Sequence, residues 1–348
     1  MNLKTLYLNK SFNISVLIAA FFCVLLFFVY YLFYKPLVDD KHGQYFILDP
    51  GTSAPAFVAQ LHDCGLTHYP QLVLLLIELR GDSQRLHAGE YFVQPTTGLW
   101  QLLDQVAAGK VALHELKIIE GWNFHQMMEA VRNNPYLSHK LTALSDEVIM
   151  QKLGYAQELP EGKFFPSTYL FSLGTEDIKV LRQAHMLMDK LLAREWGSRD
   201  SSLPYNTAYQ ALIVASMIEK EASRVDERNR ISGIIARRLE QRMPLQIDAT
   251  VIYSLGEHFS GTLTKNDLKL PSVFNTYSHK YLPPTPIAMP GLTSMHAALH
   301  PTPGNELYYV AKGNGQHYFS DNLDQHHRAI EVYREHVLDA IMPAQQPY

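Results

Sequence analysis

The hydrophobic pattern changes character along the chain. From Ile14 to Phe33 no position carries a charge, and Ser15 is the one clearly polar side chain. That run is long enough to cross a hydrocarbon core. Beyond it the apolar positions turn periodic. Gln44–Leu48 and His87–Val93 read as strands. A helix capped by Thr52 or Ser53 carries Phe57, Val58 and Leu61 and stops near Cys64-Gly65. Leu72–Leu79 and Leu99–Ala108 read as two more helices, and Leu113–Ile119 as a further strand. These elements define a small module over residues 45–113.

A larger module covers residues 117–342. Asn123 can cap a helix whose Phe124, Met127, Met128 and Val131 recur at i, i+3, i+4 and i+7. Further helices are expected over Lys179–Ala193, through the Ala208–Ala222 segment, around Ile231, Ile234, Ile235 and Leu239, and from His327 to about Ala340. Leu307–Ala311 and Gln316–Ser320 alternate like strands. The fold class is α+β: an apolar N-terminal helix, a small α+β module and a larger α+β domain.

The charges flanking the apolar run orient it. Lys4 and Lys10 precede it, and Lys35, Asp39 and Asp40 follow. The positive-inside bias puts residues 1–13 in the cytoplasm, a single-pass anchor at 14–34 and the remainder outside. A cleaved signal peptide fits less well, because the run ends in bulky aromatics and the cluster Ser53-Ala54-Pro55-Ala56 lies too far on. Of the two cysteines, Cys23 is inside the apolar run and Cys64 outside it, so they are not expected to pair. The chain has 30 Lys plus Arg against 34 Asp plus Glu and no basic block, which gives no reason to expect nucleic acid.

The segment Leu212–Glu221 carries the sharpest chemistry. Ala208, Ala211, Leu212, Ala215, Ile218 and Ala222 form one apolar stripe at helical spacing, with Glu219 at its edge. Glu221 is expected on the opposite, watery side. A carboxyl held against apolar groups stays protonated nearer neutral pH, as a general acid must. The same position equally suits a boundary Glu paired with an Arg.

Five motifs occur in order: Ala215-Ser216-x-x-Glu219-Lys220-Glu221, Leu245-Gln246-x-Asp248-x-Thr250-Val251-Ile252-Tyr253, Asn275-Thr276-Tyr277, Leu282-Pro283-Pro284-x-Pro286-Ile287 and Pro290-Gly291. Together with Glu120-Gly121-Trp122 and the anchor they resemble the MltG-type (YceG-like) endolytic murein transglycosylases over nearly the whole chain. The resemblance implies a LysM-like first module and cleavage of nascent peptidoglycan strands at the outer face of the inner membrane. It implies Glu219 as the catalytic acid. Gln246, Asp248, Asn275 and Tyr277 become candidates for sugar binding or for stabilising an oxocarbenium ion. Peptidoglycan synthases are candidate partners. The chain departs from the common family pattern at Ser167, Ala249 and Thr285, where Asp, Pro and Gly are frequent.

One marked carboxylate suits this chemistry. Ordinary glycosidases use two. In a lytic transglycosylase the muramic acid 6-hydroxyl attacks its own anomeric carbon, so one residue can protonate the leaving oxygen and later take the hydroxyl proton. No cofactor is expected. Despite 16 histidines, no His-Glu-x-x-His occurs, and His317, His326 and His327 lack a second ligand group at standard spacing, so no metal is expected either. A hydrolytic muramidase and a catalytically silent wall-binding scaffold are the alternatives.

Overall fold

The computed structural model describes residues 3–38 and 40–341 and shows a mixed helical and sheet architecture. Helix α1 spans Leu3–Tyr34, and within it Val16–Tyr34 is long and apolar enough to cross a membrane. None of that stretch is buried against the rest of the protein. The chain divides by packing into two compact units, between His114 and Glu115.

In the first unit, strand β1 (Gln44–Leu48) pairs antiparallel with β2 (Gly89–Val93), in a register that sets Phe46 opposite Tyr91. Between them run helices α2 (Ala54–Asp63) and α3 (Pro70–Arg80), and α4 (Leu99–Ala107) follows. Ser53 caps α2 by accepting the Ala56 amide, as its side chain and extended backbone allow. Phe57, Leu61, Ile77, Tyr91, Leu102 and Leu103 close one apolar core.

Strand β3 (Leu113–Lys117), which begins two residues before that division, pairs with β4 (Thr168–Ser172) of the second unit. Helices α5 (Phe124–Arg132) and α6 (Asp146–Leu153) lie between them in sequence. Asn123 caps α5 in a reciprocal box with Gln126. Then come α7 (Asp177–Gly197), α8 (Ala208–Glu221), α9 (Arg228–Glu240), α10 (Asp248–Leu255) and α11 (Leu292–Leu299). The antiparallel hairpin β5 (Tyr308–Ala311) and β6 (His317–Ser320) precedes α12 (Leu323–Ile341). Two cores form in this unit, and α7 serves both: Val180, Leu181 and Ala184 face one, Met188 and Leu192 the other.

Helix α8 is the axis of the second core. Thr207 and Gln210 form its capping box. Every residue from Ala211 to Ile218 is buried, because α7, α9, α10 and α11 pack around the helix. A helix enclosed on all sides has no watery face. Glu221 lies beyond that stretch, half-buried and bonded to Tyr309, so the expectation that it points to open water is not met.

Four elements were not anticipated: α6, β4, α10 and α11. Each is short, and α11 buries Ser294 together with Met295, Ala297, Ala298 and Leu299, so it shows no polar alternation. Helix α12 starts four residues before the expected His327.

Candidate active site

The two carboxylates at the end of α8 occupy different surroundings. Glu219 is held in a fork by Arg228 of α9, with Nη2 at 3.0 Å from Oε1 and Nη1 at 3.4 Å from Oε2. The Gly291 amide donates to Oε2 at 2.9 Å. The Glu219 and Arg228 side chains are only 5% and 8% exposed. Arg228 also donates to Thr293 at the start of α11. Of the two roles the sequence left open for Glu219, this geometry is that of a boundary Glu paired with an Arg.

The surrounding motifs explain themselves through this pair. Gly121 donates to the Met289 carbonyl at 2.9 Å, and Met289 donates to the Trp122 carbonyl at 2.7 Å. That exchange brings Glu120-Gly121-Trp122 alongside Pro290-Gly291. A Cβ at Gly291 would overlap the Glu120 carboxyl, so a side chain there requires the end of Glu120 to move. Burial raises the Glu120 pKa, and the neighbouring Glu219 charge raises it further. Lys220 donates to the Gly121 carbonyl at 3.2 Å. Ser216 accepts the Ile287 amide at 3.0 Å, which seats the mostly buried loop Pro283–Pro290 on α8. That loop is not a solvent-exposed connection.

Glu221 opens on a cavity of about 430 Å³. Gln246, Asp248, Tyr277, Arg238, Tyr309, His317 and His326 line it with Glu221. Tyr309 donates its hydroxyl to Glu221 Oε2 at 3.0 Å. Burial pushes the Glu221 pKa up, and the Asp248 charge adds to the rise, while hydrogen bonds from Tyr309 and the Ala249 amide partly oppose it. A raised carboxyl facing a polar cavity is the electrostatic profile of a general acid.

Of the four expected substrate contacts, three line this cavity. Tyr277 donates its hydroxyl to Asp248 Oδ1 at 2.5 Å. Burial and the Asp248 charge raise the tyrosine pKa, so it stays a donor. Gln246 sits in the left-handed region at φ 56°, a conformation unusual for a residue with a Cβ. Its amide donates to the Thr276 carbonyl at 3.0 Å, and its side-chain oxygen accepts from Arg238 at 3.1 Å. Arg238 also donates to the Leu245 carbonyl at 2.9 Å and the Leu307 carbonyl at 2.7 Å, fastening the cavity floor to the hairpin strand region.

Asn275 is the exception. It is fully buried, and its side-chain amide donates to the Leu268 and Leu270 carbonyls at 3.1 and 2.8 Å. Its oxygen accepts the Tyr277 amide at 3.0 Å. Asn275 shapes the loop that presents Tyr277 and does not line the cavity. Glu219, the expected acid, does not line it either.

Sequence reasoning missed Arg238, Tyr309 and His317. Tyr309 and His317 come from a hairpin near the end of the chain, far in sequence from α8, and no local pattern links them. Arg238 reads locally as a solvated helix charge, yet only 5% of it is exposed. Among the described residues no group of three or more His, Cys, Asp or Glu side chains gathers to hold a metal ion.

The sequence model of the YceG-like family matches residues 46–332. An endolytic murein transglycosylase of Bacillus subtilis (strain 168) is 28% identical over 319 residues, covering 85% of this chain and 86% of that protein. The endolytic murein transglycosylase of Streptococcus pneumoniae is 26% identical over 289 residues, covering 72% of this chain and 51% of that longer protein. The crystal structure of a yceG-like protein from Listeria monocytogenes superimposes with a TM-score of 0.52 at 26% identity, over 83% of this chain and 99% of that one.

Proposed function

The chain belongs to the YceG-like family, and from that premise we propose that it is an endolytic murein transglycosylase whose general acid is Glu221. Its substrate is the glycan strand of nascent peptidoglycan. It cleaves the β-1,4 bond between N-acetylmuramic acid and N-acetylglucosamine and leaves a 1,6-anhydro end, which limits strand length. The named relatives support the activity. The observation that carries the assignment of the acid is the position of Glu221: it shares a cavity with Gln246, Asp248 and Tyr277, whereas Glu219 is tied to Arg228.

The chemistry follows from the surroundings. Protonated Glu221 gives its proton to the glycosidic oxygen as that oxygen leaves C1. Positive charge builds on C1 and its ring oxygen. Asp248, whose carboxylate is aligned by Tyr277, supplies the opposing negative charge. The muramic acid 6-hydroxyl oxygen closes on C1 from within the same sugar as its proton passes to a basic group of the cavity. Glu219 and Arg228 hold the end of α8, and so the angle of Glu221, in place.

We further propose that α1 anchors the protein in the inner membrane, with its N-terminus cytoplasmic and the second unit in the periplasm. The apolar helix and the lysines before it support this. The first unit is proposed as a LysM-like module that contacts glycan.

Mass analysis of glycan digests tests the activity. Anhydro ends are lighter by one water than hydrolysed ends. The wild-type protein should yield anhydro ends and the Glu221→Gln variant none, with unchanged thermal melting. Reducing ends from the wild type would make it a muramidase, and intact strands would make it a binding scaffold.

A further inference from the structure

The cavity holds a second proton-handling group that the single-acid scheme leaves idle. His317 opens strand β6, and both its backbone and its ring are fixed by one carboxylate. The His317 amide donates to Glu227 Oε1 at 3.1 Å, and ring Nδ1 lies 2.7 Å from Glu227 Oε2. The two side chains are mostly buried, at 11% and 13% exposure. A carboxylate offers no proton, so Nδ1 carries the hydrogen, and whenever the ring is neutral Nε2 is its acceptor. Among the described residues, Nε2 takes no hydrogen bond. The ring stands edge-on to Tyr309, at 5.4 Å between centroids and 89° between planes, and Tyr309 is the residue that bonds Glu221. His317 and Glu221 thus line one cavity and both meet Tyr309.

The other candidates for a base are less free. Glu221 already accepts from Tyr309 and from the Ala249 amide. Asp248 accepts from Tyr277. Arg238 has only donors. His326 lines the same cavity and stacks on Tyr308, but among the described residues no carboxylate orients its ring.

Resting on the transglycosylase reading above, we propose that His317, oriented by Glu227, is the general base for the muramic acid 6-hydroxyl. The C1–O4 bond breaks and O4 leaves with the Glu221 proton. The O6–C1 bond forms, and the O6 proton passes to His317 Nε2. The imidazolium is stabilised by the Glu227 carboxylate and returns its proton to solvent, from which Glu221 is recharged. Neither oxidant nor external nucleophile is needed. The division of labour has a consequence for product: a base aimed at the 6-hydroxyl favours ring closure over attack by water.

The test uses full-length protein in detergent, purified glycan strands and mass analysis of the new ends. His317→Gln should lower kcat by roughly 10²–10⁴, the usual worth of general acid–base catalysis, with little change in KM. The residual product should shift from anhydro toward reducing ends. Glu227→Gln removes the charge and one of the two acceptors but can still accept from Nδ1, and should lower kcat less, with the same shift in product. Added imidazole should restore turnover to His317→Gly and not to Glu221→Gln. A His317→Gln protein that keeps both wild-type rate and wild-type anhydro fraction overturns the proposal. So does a slow one whose anhydro fraction is unchanged and whose Gly counterpart imidazole leaves inert, because that outcome marks a structural role. If His317→Gln does not fold, Glu227→Gln decides on the same two readouts. Wild-type protein that makes no anhydro ends instead refutes the transglycosylase reading itself.

Discussion

Tyr309 places its hydroxyl 3.0 Å from Glu221 Oε2, joining strand β5 to the last residue of α8. The bond has a sign. A donor to a carboxylate favours the ionised form, so Tyr309 holds down a pKa that burial pushes up. Burial and the Glu221 charge keep the phenol itself well above its usual range, so it remains a donor. Tyr309→Phe should therefore raise the Glu221 pKa further. An acid works while protonated, so the alkaline limb of the pH–rate profile should move to higher pH. An alkaline limb that stays in place, or moves down, would show that Glu221 is not the group titrating in it.

The two glutamates of α8 should separate by phenotype. Glu219→Gln leaves the Arg228 guanidinium buried without its counter-charge. Breaking a buried pair from one side costs about 3–5 kcal/mol. Thermal melting should show that loss, while protein kept cold enough to stay folded still makes anhydro ends. Glu221→Gln should do the reverse: melt normally and make none. A Glu219→Gln protein that melts like wild type but is inactive would return the acid to Glu219.

Much of this architecture was legible in the sequence, and the misreadings share one physical origin. Caps at Ser53 and Asn123 and the stripe of α5 depend on near neighbours, and local patterns report them. Gln246, Asp248 and Tyr277 were picked out from motifs, and they meet at one cavity. What failed was direction. The burial of α8 on all sides comes from helices far away in sequence, and no window around Glu219 contains that information. Asn275 carries sugar-binding chemistry in its side chain, yet the fold spends it on two loop carbonyls. The hairpin that supplies Tyr309 and His317 is plain as a pair of strands, but its docking beside α8 is tertiary.

Substitution at Gly291 should act through Glu120. Its φ of −75° suits any residue, so the constraint is space rather than backbone strain. A methyl group there meets the Glu120 carboxyl. Gly291→Ala should displace the exposed end of Glu120, at a cost of no more than about 0.5 kcal/mol. Double-variant melting with Glu120→Ala measures the cause. If the clash is the cause, trimming Glu120 should recover most of the loss; if it recovers none, the loss has another origin.

Glu161 should make the second unit less stable as the solution turns alkaline. It is buried, and its two oxygens accept the Phe124 amide at 3.1 and 3.2 Å while Tyr253 donates to Oε2 at 3.0 Å. Burial outweighs these donors and pushes its pKa up to about 7 from 4.5. Between those values the folded chain holds a proton that the unfolded chain has released. Stability therefore falls as pH rises through that window and levels off above it, by about 3 kcal/mol from this group. The raised carboxyls of Glu120 and Glu221 act in the same direction, so the informative quantity is a difference between variants. Glu161→Gln is neutral at every pH and still offers an oxygen to Phe124. Between pH 5 and pH 8, wild-type melting temperature should drop several degrees more than that of Glu161→Gln. Parallel curves for the two proteins would mean that Glu161 is already ionised in the folded state, with its hydrogen bonds outweighing its burial.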